Sequence, residues 1–225
     1  MRFLVLALTL ATASLSAAPI QRPHAEVPSA EQPVRNVPTT GYTLSLIWQP
    51  EHCYSRRGNA AQECADPKVR RGFTLHGLWP DGDGPNRWPQ YCHPVALLTD
   101  AQVRAGIAAT PSPQLLQHEW AKHGSCMTDD PVRYFNEEDR IYGAIRIPDM
   151  ATLSHRRGLT AGDFQAAFAA VNPGMKPDMM RLNVNKRGWL EEVWLCLGLD
   201  KRPRACPAGQ GGAAPTDRIK VQAAA

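Results

Sequence analysis

Six cysteines (Cys53, Cys64, Cys92, Cys126, Cys196 and Cys206) constrain the fold of this 225-residue chain more than any other feature. None stands in a Cys-x-x-Cys pair, which speaks against a zinc cluster. In an oxidising compartment an even set reads as three disulfides, with fifteen connectivities open in principle. Proximity along the chain favours Cys53–Cys64 and Cys196–Cys206, leaving Cys92–Cys126 as the longer bridge. Residues 1–18 point to that compartment: Arg2 is followed by an apolar run from Phe3 to Leu10 and small residues from Ala11 to Ala18. The run is too short to span a bilayer as a helix, so it reads as a signal peptide. Cleavage is expected near Ala17 or Ala18, with Ala13 as an alternative because Pro19 disfavours a cut just before it. The mature chain is therefore expected to be secreted or periplasmic and free of the membrane. The absence of any Asn-x-Ser/Thr sequon tilts the reading toward a bacterial source.

Residues 19–40 are proline-rich and polar without apolar periodicity, and read as a disordered leader. The globular domain is expected at 41–207, followed by a flexible Gly/Ala-rich tail at 208–225. A hydrophobic share of 43% allows one real core, while twenty prolines and seventeen glycines imply many turns. Thr43–Trp48, Phe73–His76 and Leu190–Leu199 alternate as strands do. Residues 51–71 and Asp81 to Pro94 read as loops. Ser112-Pro113 opens a helix to about His123, Asp130-Pro131 opens one to Ile145, and Thr160–Asp163 resembles a capping box for a helix ending at Asn172. Helices and strands mix without regular alternation, which predicts an α+β fold: a central antiparallel sheet flanked by helices and stapled by disulfides. Nothing in the sequence calls for more than a monomer, and the net charge of +4 suits a polyanionic partner without requiring one.

The chemistry is concentrated in His118-Glu119-Trp120-Ala121-Lys122-His123-Gly124-Ser125-Cys126, with a further histidine in Phe73-Thr74-Leu75-His76-Gly77-Leu78-Trp79-Pro80. Imidazoles both take and give protons near neutral pH, so two of them beside a lysine and a glutamate suit a reaction that develops negative charge. On a helical wheel Leu115, Glu119, Lys122 and His123 share one side, continued by Leu116 and Trp120, while Gln114, Gln117 and Ala121 point away. The charged groups thus face the protein, where they must line a cleft or satisfy one another. His118 and His123 lie roughly 140° apart around a helix, unlike the pair of a zinc helix, so no metal site is expected. His24, His52, His93 and His155 are assigned no role.

Together these two stretches resemble the active-site signatures of the ribonuclease T2 family of secreted endoribonucleases, in the same order and with the closing cysteine. The resemblance covers roughly Leu44 to Cys206. It implies an α+β enzyme that needs no metal or other cofactor and cleaves single-stranded RNA, but not DNA, through a 2′,3′-cyclic phosphate. His76, Glu119 and His123 match the catalytic residues, Lys122 the group that stabilises the transition state, and His118 a phosphate contact. Trp79 and Asp81 match positions that hold a base, on which an indole can stack. The family also pairs the cysteines matching Cys92 and Cys126. Members often carry a further cysteine near Pro177–Leu182, absent here, which removes one bridge and leaves the catalytic set intact. By resemblance His123 is the base and His76 the acid of the first step. A catalytically inactive RNA-binding or storage protein on the same fold is the alternative, but it should have lost a proton-transfer residue, and every matched one is present.

Overall fold

The computed structural model describes residues 21–56, 62–84, 87–209 and 211–224, so the expected export signal lies outside the described residues. Four antiparallel strands form one sheet: β1 (Gly41–Trp48), β2 (Phe73–Asp81), β3 (Met180–Val184) and β4 (Leu190–Leu197), in the order β2-β1-β4-β3. Among the described residues the helices are α1 (Gln49–Ser55), α2 (Asp100–Gly106), α3 (Pro113–Lys122), α4 (Pro131–Gly143), α5 (Met150–His155) and α6 (Ala161–Val171). The α+β expectation is borne out. Disulfides join Cys53 to Cys64, Cys92 to Cys126 and Cys196 to Cys206.

Local chemistry starts the helices where it should. The Ser112 hydroxyl accepts from the Leu115 N–H at the head of α3, and the Asp130 carboxylate accepts from the Val132 N–H at the head of α4. Thr160 and Asp163 form a reciprocal capping box on α6. One face of the sheet carries Leu44, Leu46, Leu75, Leu78, Val193, Leu195 and Leu182, all buried in one core with Leu116 and Trp120 of α3, Phe135 of α4, and Phe164 and Phe168 of α6. Removing this apolar surface from water is the main stabilising force of the domain.

Several expectations are corrected. The stretch 51–71 is not all loop: α1 occupies its start, because Glu51 is fully buried and receives hydrogen bonds from Asn185 at 2.8 Å and Arg187 at 3.2 Å. The short helices α2 and α5 were not foreseen. Gln117 and Ala121 do not point away from the protein; both are buried, and the Gln117 amide satisfies the Leu98 N–H and the Ala96 carbonyl. The leader lies against the domain, with Arg35 and Gln90 exchanging two backbone hydrogen bonds of 2.9 and 3.0 Å. Its buried Pro23 is an isolated apolar position, so no apolar period was there to read. Nor is the tail loose. Ile219 and Val221 are buried, the Ile219 N–H donates to the Leu159 carbonyl, and the Gln222 carbonyl accepts from the Trp48 indole.

Candidate active site

The site is built on a defect in β2. From Gly41 to Ser45, β1 pairs with Asp81 to Gly77; from Leu46 onward it pairs with Leu75 to Phe73, so His76 is the extra residue of a β-bulge. A bulge leaves one residue unpaired and re-aims it. Here it also shifts the alternation, so that Phe73 and Leu75 before it and Leu78 after it are all buried. His76, Gly77, Trp79 and Asp81 are left on the opposite face. β2 thus runs beyond Gly77, which places Trp79 and Asp81 on a strand rather than in a loop.

The second half of the site hangs from the end of α3. The Tyr91 N–H donates to the Lys122 carbonyl at 2.8 Å, the Ser125 hydroxyl donates to the Ala121 carbonyl and accepts from the Cys92 N–H, and the Cys92–Cys126 bridge closes the same turn. These bonds satisfy carbonyls that a helix end otherwise leaves open. They also fix the direction of Lys122 and His123. Gly124 follows because a Cβ there would sit 2.4 Å from the Trp120 ring.

His76, Trp79, Asp81, His118, Glu119, Lys122 and His123 all line one cavity of about 600 Å³. Trp79 organises it. Its indole stacks on His123 with ring centroids 5.4 Å apart and meets His76 edge-on at 5.0 Å. Its N–H donates to the Glu119 carboxylate at 2.6 Å. The other Glu119 oxygen lies 3.5 Å from Nε2 of His76. Asp81 accepts from the Thr43 hydroxyl, and His118 meets Glu26 of the leader at 3.4 Å.

The two imidazoles are driven in opposite directions. Burial, together with the charges of Lys122, His118 and His76, pushes His123 well below the ordinary histidine range. Burial also acts against the charge on His76, but its hydrogen bond to Glu192 and the carboxylates of Glu119 and Glu192 outweigh it and raise the group. The cavity therefore pairs an imidazole whose proton affinity is weakened with one whose proton affinity is strengthened. Burial raises the Glu119 carboxyl and lowers the Lys122 ammonium, the latter opposed by Glu119 and Glu26. Among the described residues, no group of three His, Cys, Asp or Glu side chains is placed to hold a metal ion.

Sequence reasoning missed Glu192 and Trp194 on β4. Glu192 contacts Nδ1 of His76 at 2.7 Å, and Trp194 packs edge-on against Trp79. The local signal was only strand alternation, which says nothing of a partner two strands away.

A family model for ribonuclease T2 matches residues 40–206. The chain belongs to the ribonuclease T2 family. A probable ribonuclease of Haemophilus influenzae is 29% identical over 171 residues, covering 71% of this chain and 58% of the relative. The match thus spans little more than half of that relative's length. Among solved structures, trichomaglin, described as an S-like ribonuclease, superposes with a TM-score of 0.64 at 20% identity, covering 83% of this chain and 98% of its own. RNase NT in complex with 5′-AMP gives a TM-score of 0.58 at 20% identity, covering 82% and 98%. These likenesses establish a ribonuclease T2 fold.

Proposed function

We propose that the protein is a metal-independent endoribonuclease that cleaves single-stranded RNA through a 2′,3′-cyclic phosphate to leave 3′-phosphate ends. The observation that carries this reading is the pair of imidazoles packed on Trp79 in one cavity, in surroundings that drive their proton affinities in opposite directions. Two such groups are what in-line attack by a ribose 2′-OH needs. His123 removes the 2′-OH proton as the oxygen bonds to phosphorus. The bond from phosphorus to the 5′-oxygen then breaks, and His76 donates a proton to that oxygen. Hydrolysis runs the exchange backwards: His76, now neutral, takes a proton from water as its oxygen adds to phosphorus, and His123 returns a proton to the departing 2′-oxygen.

Charge on the phosphorane is offset by the Lys122 ammonium, which lines the same cavity; such a fixed charge is worth several kcal/mol in a water-poor site. Glu119, buried between Trp79 and His76, orients the acid and hydrogen-bonds the phosphoryl group when it carries a proton. His118 contacts a phosphate, and Trp79 and Asp81 flank a base. Three disulfides, and no described helix long and apolar enough to cross a membrane, accord with a secreted or periplasmic enzyme.

The test is single-stranded RNA incubated with wild type and His76→Ala in the presence of chelator, with products resolved by mass. Wild type should accumulate cyclic and then 3′-phosphates, His76→Ala should do neither, and the matching deoxy-oligonucleotide should survive both. Equal RNA loss with the two proteins refutes the proposal. The pH–rate profile should be a bell, its acid limb set by protonation of His123 and its alkaline limb by deprotonation of His76.

A further inference from the structure

Glu192 lies on β4, separated from β2 by the whole width of β1, yet its carboxylate is 2.7 Å from Nδ1 of His76. Two features allow the reach. The bulge turns His76 out of register toward the face that Glu192 shares, and the intervening strand presents Ser45, opposite both Gly77 and Trp194, where a longer side chain would obstruct the crossing.

Both carboxylate oxygens are committed. Oε1 accepts from His76, while Oε2 accepts from the Trp194 indole at 2.7 Å and from the Asn183 amide at 3.4 Å. Burial penalises its charge, but bonds from His76, Trp194 and Asn183 hold Glu192 below the ordinary glutamate range. An ionised carboxylate only accepts, so Nδ1 of His76 must carry a hydrogen.

We propose that Glu192 is a positioning residue for the reaction, fixing the His76 ring so that Nε2–H is directed into the cavity where the leaving oxygen departs. The inference rests on the reading of His76 as the general acid. Glu192 touches no substrate; it acts through the ring. The arrangement has the logic of a carboxylate that orients a catalytic imidazole from its far nitrogen. Two carboxylates and one cation face His76: Glu192 from β4, and Glu119 with Lys122 from α3. Glu119 approaches Nε2 and so cannot substitute for a partner on Nδ1.

Glu192→Gln and Glu192→Ala separate charge from orientation. The amide of Glu192→Gln keeps an acceptor for Nδ1–H, whereas Glu192→Ala keeps nothing. NMR titration of the His76 ring should show its midpoint moving to lower pH in both variants, and the alkaline limb of kcat/KM should move with it. Glu192→Ala should lose about ten-fold or more in kcat with little change in KM, and Glu192→Gln should recover part of that loss. A merely structural residue would lower thermal stability without moving the alkaline limb. If His76 titrates in Glu192→Gln as in wild type, the inference is overturned, even if Glu192→Ala fails to fold. If His76→Ala is inactive but Glu192→Ala matches wild type, only the inference falls. If His76→Ala is itself active, the parent reading falls instead.

Discussion

Gly77→Ala is the sharpest structural test of the site, because a generic argument predicts the opposite result. An alanine in a strand normally stabilises relative to glycine by roughly 0.5–1 kcal/mol, through the entropy of the unfolded chain. Here the added Cβ would sit 2.1 Å from a Glu119 carboxylate oxygen, 2.7 Å from its carbon and 3.0 Å from the Trp79 indole nitrogen. To restore the 3.4 Å of an ordinary contact, the carboxylate must retreat by about 1.3 Å. It has nowhere to go cheaply, since Glu119 is 1% exposed and held by Trp79. Overpacking and the weakened charged hydrogen bond together should cost about 3 kcal/mol, more than the entropic gain. For a chain of this size that lowers Tm by roughly 6–12 °C. A displacement near 1 Å beside the reacting groups should also lower kcat/KM on single-stranded RNA by about 100-fold. Thermal unfolding and steady-state kinetics on one preparation read both effects. A Gly77→Ala protein with wild-type Tm and wild-type kcat/KM refutes the claim that the glycine exists to admit Glu119.

Trp79→Phe keeps a ring against His123 but removes the donor to Glu119, so it should cost about 1–3 kcal/mol at neutral pH. That bond lowers a carboxyl that burial raises, so its loss penalises the ionised form. The destabilisation should shrink in acid, where Glu119 is protonated; equal Tm losses at both pH values would contradict this. Asp139, on α4, has a carboxyl raised by burial to about 6 from 3.8, with one oxygen buried and unpartnered. A raised folded value means that stability falls as pH rises through it. Asp139→Asn should therefore increase Tm above about pH 6 and lose the advantage as pH falls toward 3.8, and an unchanged difference across that window would refute the assignment.

The parts that were legible in the sequence are those whose cause is local. Ser112-Pro113, Asp130-Pro131 and Thr160–Asp163 announce helix starts because a cap bonds within three residues of itself. The run from His118 to Cys126 announces the second half of the site because one helical turn and its closing loop hold all of it. Gln117 was misread for the complementary reason: on a wheel it is merely polar, and only the loop carrying Ala96 and Leu98, packed across α3, makes its burial favourable. The Gly/Ala character of the tail likewise hid Ile219 and Val221, whose partners come from earlier in the chain.

Chain order by itself determined which residues could carry the chemistry, which cysteines could pair and where α3, α4 and α6 begin, since each depends on neighbours in covalent reach. Tertiary structure alone decided how those residues act on one another. The bulge at His76 arises from a register mismatch with β1, and the carboxylate on its far nitrogen arrives from 116 residues away because the strands order themselves β2-β1-β4. No local pattern encodes that meeting. It exists because burying the apolar face of the sheet fixes the strand order, and the strand order sets which polar groups meet on the other face.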